Sequence, residues 1–247
     1  MGYRGRDVEI AFLEGEQCLV VGCDSCGGIG SKELDIVQAA PEVVGRFTAR
    51  VALLEVISTG ALPTIISVTV ANEPEPSSAG ILQGVRQELE SFSPAELPLA
   101  VSTEKNMPTR QTGVGVTVVG TVRRADLRIC ASQPGDSVYC LGLPKVGAEV
   151  GSPTDPEIVQ TRQIRTLLGM PGIHDIIPVG SRGLAGETAS LCRATGLEFI
   201  PEPDCPLPWT KSGGPATCAL VACAPGSMTR PLFPGLPLAL IGCLAGA

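Results

Sequence analysis

Two acids set among apolar residues constrain this chain more than any other feature. The run Leu19-Val20-Val21 reads as a buried strand and delivers Asp24 into a small-residue loop, Cys23-Asp24-Ser25-Cys26-Gly27-Gly28-Ile29-Gly30. A helix is expected over residues 45–60, with Glu55 its one acid. Thr48, Ala52, Glu55 and Thr59 share a face of that helix, because side chains spaced by three and four residues align. Glu55 therefore stands among small residues, where something can approach closely. A divalent metal gives both acids one reason, whereas a solvated helix face explains Glu55 alone.

Hydrophobic residues make up 44% of the chain but aromatics only 3%, so Val, Leu, Ile and Ala must build the core. Aliphatic strands of this kind suit α/β layering, in which sheets are covered by helices. Strands are expected over 8–13, 18–23, 64–71, 97–101, 113–122, 137–141 and 218–223. Helices are expected over 79–91, 156–168 and 184–195, and a loop over 201–215. The Pro134-Gly135-Asp136 turn lies between two apolar strands and divides the 247 residues into two domains, 1–133 and 134–247.

Net charge is −7 with no basic block, which argues against a nucleic-acid partner. A nucleotide remains compatible with an acidic chain if metal ions screen its phosphates. The N-terminal residues lack an apolar h-region, so a cytoplasmic protein with ten reduced cysteines is expected. The apolar run 236–247 is too short to span a bilayer and reads as a closing strand; no membrane partner is expected.

Other constellations are less specific. Arg46 and Arg50 offer two cations one turn apart. Glu104, Lys105 and Asn106 follow a strand, and Gly113 and Gly115 then let backbone approach a ligand; taken alone, a plain polar loop between strands is the simpler reading. Gly180-Ser181-Arg182-Gly183 opens a helix whose free amides suit an anion, although Ser181 also suits a cap. Cys23-x-x-Cys26 has no second pair to complete a zinc site, and the sole His174 reads as a loop residue.

The ordered motifs resemble the superfamily of aminoimidazole ribonucleotide synthetase, thiamine-monophosphate kinase, selenophosphate synthetase and the hydrogenase-maturation dehydratase. Arg6-Asp7-Val8-Glu9-Ile10-Ala11 is similar to its first strand, and Cys23-Asp24-Ser25 to the acid-bearing end of the next. Gly45-Arg46-Phe47-Thr48 and Leu54-Glu55-Val56-Ile57-Ser58-Thr59-Gly60-Ala61-Leu62-Pro63 match its first helix. Ser102-Thr103-Glu104-Lys105 and Pro134-Gly135-Asp136 match a later loop and turn. Departures fall on the substrate side: Val179-Gly180-Ser181-Arg182-Gly183-Leu184 replaces acids with a cation, and Gly213-Gly214-Pro215-Ala216-Thr217-Cys218 loses the thiamine-kinase signature.

Within the superfamily, Cys-Asp-Ser-Cys-Gly, Phe-Thr-Ala-Arg-Val-Ala-Leu and Ser-Thr-Glu-x-Asn look most like α-ribazole kinases. The resemblance implies a two-domain α/β fold, with mixed sheets packed on helices. It implies transfer of phosphate from ATP to the 5′-hydroxyl of α-ribazole, a riboside used in cobalamin lower-loop assembly. Mg²⁺ is expected on Asp7, Asp24, Glu55 and Glu104. Arg46, Arg50, Thr103, Asn106, Gly113, Gly115, Gly180 and Ser181 are expected on the nucleotide, with Lys105 and Arg182 catalytic. A homodimer with ATP near its interface is implied too. Another kinase or ligase of the superfamily, such as a thiamine-monophosphate kinase-like enzyme, and a non-catalytic nucleotide-binding homologue are the alternatives.

Overall fold

Two five-stranded sheets, each built from aliphatic strands, frame the chain. The computed structural model describes residues 2–93, 96–228 and 230–246. The first half runs β1 (Val8–Phe12), β2 (Gln17–Gly27), β3 (Ile29–Gly30), β4 (Val37–Gln38), α1 (Pro41–Ile57), β5 (Leu62–Val70), α2 (Ala79–Phe92), β6 (Leu99–Thr103) and β7 (Gly113–Arg123). The second runs β8 (Ser137–Leu141), α3 (Thr161–Leu168), β9 (Ile173–Pro178), α4 (Gly183–Thr195), β10 (Leu197–Pro201), β11 (Ala219–Cys223) and β12 (Leu238–Gly246). The sheet orders are β1-β2-β7-β5-β6 and β10-β12-β8-β11-β9. Only β5 and β6 pair in parallel within them, so the first sheet is mixed and the second antiparallel.

Helix α1 is the keystone of the packing. Pro41 opens it, where the missing N–H costs nothing. A Cβ on Gly45 would stand 2.0 Å from the carbonyl oxygen of Ile81, and one on Gly84 2.0 Å from that of Glu42. Those glycines let the α1 and α2 backbones touch. Gly22 and Gly120 seat the same helix on the sheet, since added Cβ atoms would meet Val56 at 3.0 and 2.8 Å. Leu54 and Ile57 turn the other way and join a core with Leu141, Ile164, Leu167, Ile176 and Val221. One helix thus serves both halves.

Several sequence expectations need correction. Asp24 lies within a strand rather than a loop. β2 continues to Gly27 because β7 runs beside it throughout, pairing Asp24 with Val116 and Gly27 with Gly113. The expected helix 156–168 shrinks to α3, since Val159 is drawn off to donate to the Thr217 carbonyl at 2.9 Å. His174 is not in a loop but in β9, and β10 occupies residues before the expected loop. All ten cysteines are free thiols. Cys23 and Cys26 sit three apart on β2, so they point to opposite faces. Among the described residues, no helix is long and apolar enough to cross a membrane.

Candidate functional site

The expected site residues fall into separate groups. The first gathers Asp7, Asp24 and Glu55 with a residue the sequence reading missed, Glu187. Glu55 is 8% exposed, on the α1 face pressed against β2. A Cβ on Gly22 would come within 3.3 Å of the Glu55 Cβ. Burial pushes the Glu55 carboxyl up to about 8; Arg6 opposes the rise, and Asp7, Glu187 and Asp24 add to it. Asp24 is raised to about 6, again mainly by burial. Glu187 on α4 is also raised by burial, against the pull of Arg182. Desolvated like charges within reach of one another favour protonation. These acids therefore share one electrostatic environment, although they come from both halves of the chain.

Arg6 ties this group together. Its Nη2 donates to Ser58 Oγ on the last turn of α1 and to the Ile176 carbonyl in β9, both at 2.8 Å. Arg182 Nη2 donates to Glu187 Oε2 at 3.1 Å, and the Gly180 amide also donates to that carboxylate. The signal that marked Glu55 was present at Glu187 as well, for it is the sole acid among the small residues of α4.

A second group lines a trough of about 550 Å³ beside the ends of β2, β5, β6 and β7. Thr103, Glu104, Gly113 and Gly115 meet there with Ser25, Thr69 and Ser102. Cys26, which lines the trough, also feels the charge of Asp24 and so links it to the acidic group. Glu104 does not join those acids. Its Oε1 accepts from the backbone amides of Asn106 at 2.6 Å and Met107 at 3.1 Å, and these bonds hold its carboxyl below the ordinary range. Lys105 and Asn106 are exposed in the same turn.

Two expectations are overturned. Arg50 cannot meet a nucleotide: it is 0% exposed and forms a two-pronged pair with Glu88 at 2.9 and 2.8 Å. Arg46 leans on that carboxylate too, at 3.4 Å. Three amides around the start of α4 are likewise engaged. Gly183 donates to Gly180, Ala185 to Trp209 and Gly186 to Arg182, while Ser181 is exposed and makes no capping bond.

Among the described residues, no three His, Cys, Asp or Glu side chains converge on a metal position. The donor set nevertheless suits Mg²⁺, which takes one or two carboxylates and completes its shell with phosphates and water. Asp24 and Glu55 are the two carboxylates of that set.

No protein-family model and no curated protein matches the chain. Solved structures do. Thiamine-monophosphate kinase from Aquifex aeolicus superposes with a TM-score of 0.69 at 15% identity, over 98% of this chain and 89% of that one. The fold is the aminoimidazole ribonucleotide synthetase-like one. The same kinase complexed with AMPPCP and TMP gives 0.66 at 15% identity, over 98% and 85%. Phosphoribosylformylglycinamidine synthase II from Thermotoga maritima gives 0.58 at 17% identity, over 98% of this chain and 37% of that one.

Proposed function

We propose that the chain is an ATP-dependent small-molecule kinase, with the 5′-hydroxyl of α-ribazole as acceptor. One observation carries the reading most: Asp7, Asp24 and Glu55 from the first half share an electrostatic environment with Glu187 and Arg182 from the second. Phosphoryl transfer asks for positioning and charge neutralisation rather than covalent chemistry. A site assembled across two halves can hold donor and acceptor in line.

Bound Mg²⁺ would neutralise charge on the ATP phosphates, and Asp24 and Glu55 would hold it, with Asp7 beside them. Thr103, Gly113 and Gly115 line the adjoining trough, whose hydroxyls and bare backbone suit a nucleotide. The acceptor oxygen attacks the γ-phosphorus, the bond to the bridging oxygen breaks, ADP leaves, and the hydroxyl proton passes to solvent. Arg182, bonded to Glu187, would neutralise developing charge, as would Lys105, exposed in the turn after Glu104. Exposed Leu62 and Ile65 on the first sheet support pairing with a second copy, the arrangement the resemblance implies.

Support for α-ribazole itself is the sequence likeness in the Cys-Asp-Ser-Cys-Gly and Phe-Thr-Ala-Arg-Val-Ala-Leu segments. A structural neighbour is complexed with TMP, so thiamine monophosphate is the competing acceptor. Incubating purified protein with Mg-ATP and each acceptor, followed by mass spectrometry, separates them. Formation of α-ribazole 5′-phosphate supports the reading; thiamine diphosphate alone overturns the acceptor, and no product from either overturns the kinase assignment for both.

A further inference from the structure

A concavity lined by two arginines lies away from the acids. A cleft of about 600 Å³ opens where the end of α1, the segment after β7, α3 and the start of β9 meet. None of Asp7, Asp24, Glu55 or Glu187 lines it. Arg128, Arg165 and His174 do, beside the apolar walls of Phe92, Leu62 and Leu168.

Each polar group is held in place, and the two arginines keep donors to spare. Arg165 Nη1 donates to the Phe92 carbonyl at 3.2 Å, and its guanidinium sits 5.7 Å from the Phe92 ring centroid. Arg128 Nη1 donates to the Ile173 carbonyl at 2.5 Å. A guanidinium carries five N–H donors, so both retain others. His174 Nδ1 donates to Oδ2 of the buried Asp136 at 2.7 Å, which fixes the ring. The one carboxylate on the rim, Asp126, is already matched by Arg123 at 2.5 Å. In a chain of net charge −7, a cleft holding two arginines whose one lining carboxylate is already paired stands out.

We propose that this cleft binds a small organic anion, a phosphomonoester or carboxylate carried on an apolar ring. The ring lies against Phe92 and Leu168, and the anion meets Arg128 and Arg165 beside the His174 ring. Volume, apolar lining and a few placed polar groups are what such sites have in common. The proposal stands apart from the kinase reading, because its readout is the imidazole and not turnover.

His174 is the sole histidine, so its ring carbon-bound protons give one pair of NMR signals. Phenyl phosphate and benzoate are the anionic probes; phenol is the same ring without charge. The proposal expects saturable shifts of the His174 signals with an anionic probe and none with phenol. Arg165→Gln should weaken binding about tenfold, the worth of one charge-assisted hydrogen bond, while Arg162→Gln on the exposed side of α3 leaves it unchanged. Unchanged circular dichroism of both variants shows that the fold is kept. Equal shifts with phenol, no saturation with either anion, or equal weakening by the two substitutions overturns the proposal.

Discussion

Arg6 donates to Ser58 Oγ at 2.8 Å, and that bond fastens the residue before Asp7 to the turn of α1 that carries Glu55. Because the same guanidinium also reaches the Ile176 carbonyl, one side chain brings the N-terminal acid, the helix acid and the second sheet into register. Its Nε and Nη1 find no protein partner although the residue is 5% exposed. Its charge is thus left to offset the acids around it.

Glu55 sets a pH dependence whose sign is fixed. Its carboxyl is raised from 4.5 to about 8 in the folded chain. Between those values the folded state keeps a proton that the unfolded state releases, so stability falls as pH rises through this window. Glu55→Gln removes that titration and flattens the profile. Urea denaturation at several pH values from 5 to 8, with chelator present, measures it. Parallel profiles for the two proteins contradict the burial of an ionisable Glu55.

Magnesium should act in the opposite sense. Ligating carboxylates must first lose their protons, so metal affinity rises with pH. With Asp24 near 6 and Glu55 near 8, the thermal upshift produced by MgCl₂ is expected to grow between pH 5.5 and 8.5. Asp24→Asn should abolish the growth. An upshift independent of pH places the metal elsewhere.

The Arg50–Glu88 pair predicts an asymmetry. Glu88→Ala strands a buried guanidinium and should cost about 3–5 kcal/mol, whereas Arg50→Met with Glu88→Leu should be far less damaging. Denaturant midpoints of the single and double variants test this. A single variant as stable as the parent rules out the buried pair.

Gly45→Ala puts a methyl 2.0 Å from the Ile81 carbonyl oxygen. Overpacking of this kind costs about 1–3 kcal/mol. The loss should register as a lower melting temperature, and an unchanged one contradicts the α1–α2 backbone contact.

These residues also show what the sequence made legible. Residues 64–71 read as a strand from branched side chains alone, and β5 lies there. Glu55 betrayed itself as an acid in an apolar helix. Asp24 reads as loop because its Cys, Ser and Gly neighbours carry little strand preference; its strand character comes from β7, far along the chain, which no local pattern reveals. Arg50 looked like a ligand cation because its partner Glu88 lies on another helix. His174 looked like loop because Asp136, which holds it, belongs to a turn read only as a boundary. Contacts distant in sequence decided every one of these cases.

Isothermal titration of Mg-ATP into the parent chain, Glu55→Ala and Glu104→Ala probes the site most directly. The acids joined through Arg6 predict that Glu55→Ala abolishes binding. Glu104→Ala, whose carboxylate is spent on the Asn106 and Met107 amides, should weaken it far less. Unchanged binding in Glu55→Ala, or no binding of Mg-ATP by the parent, contradicts the assignment of this junction as an ATP site.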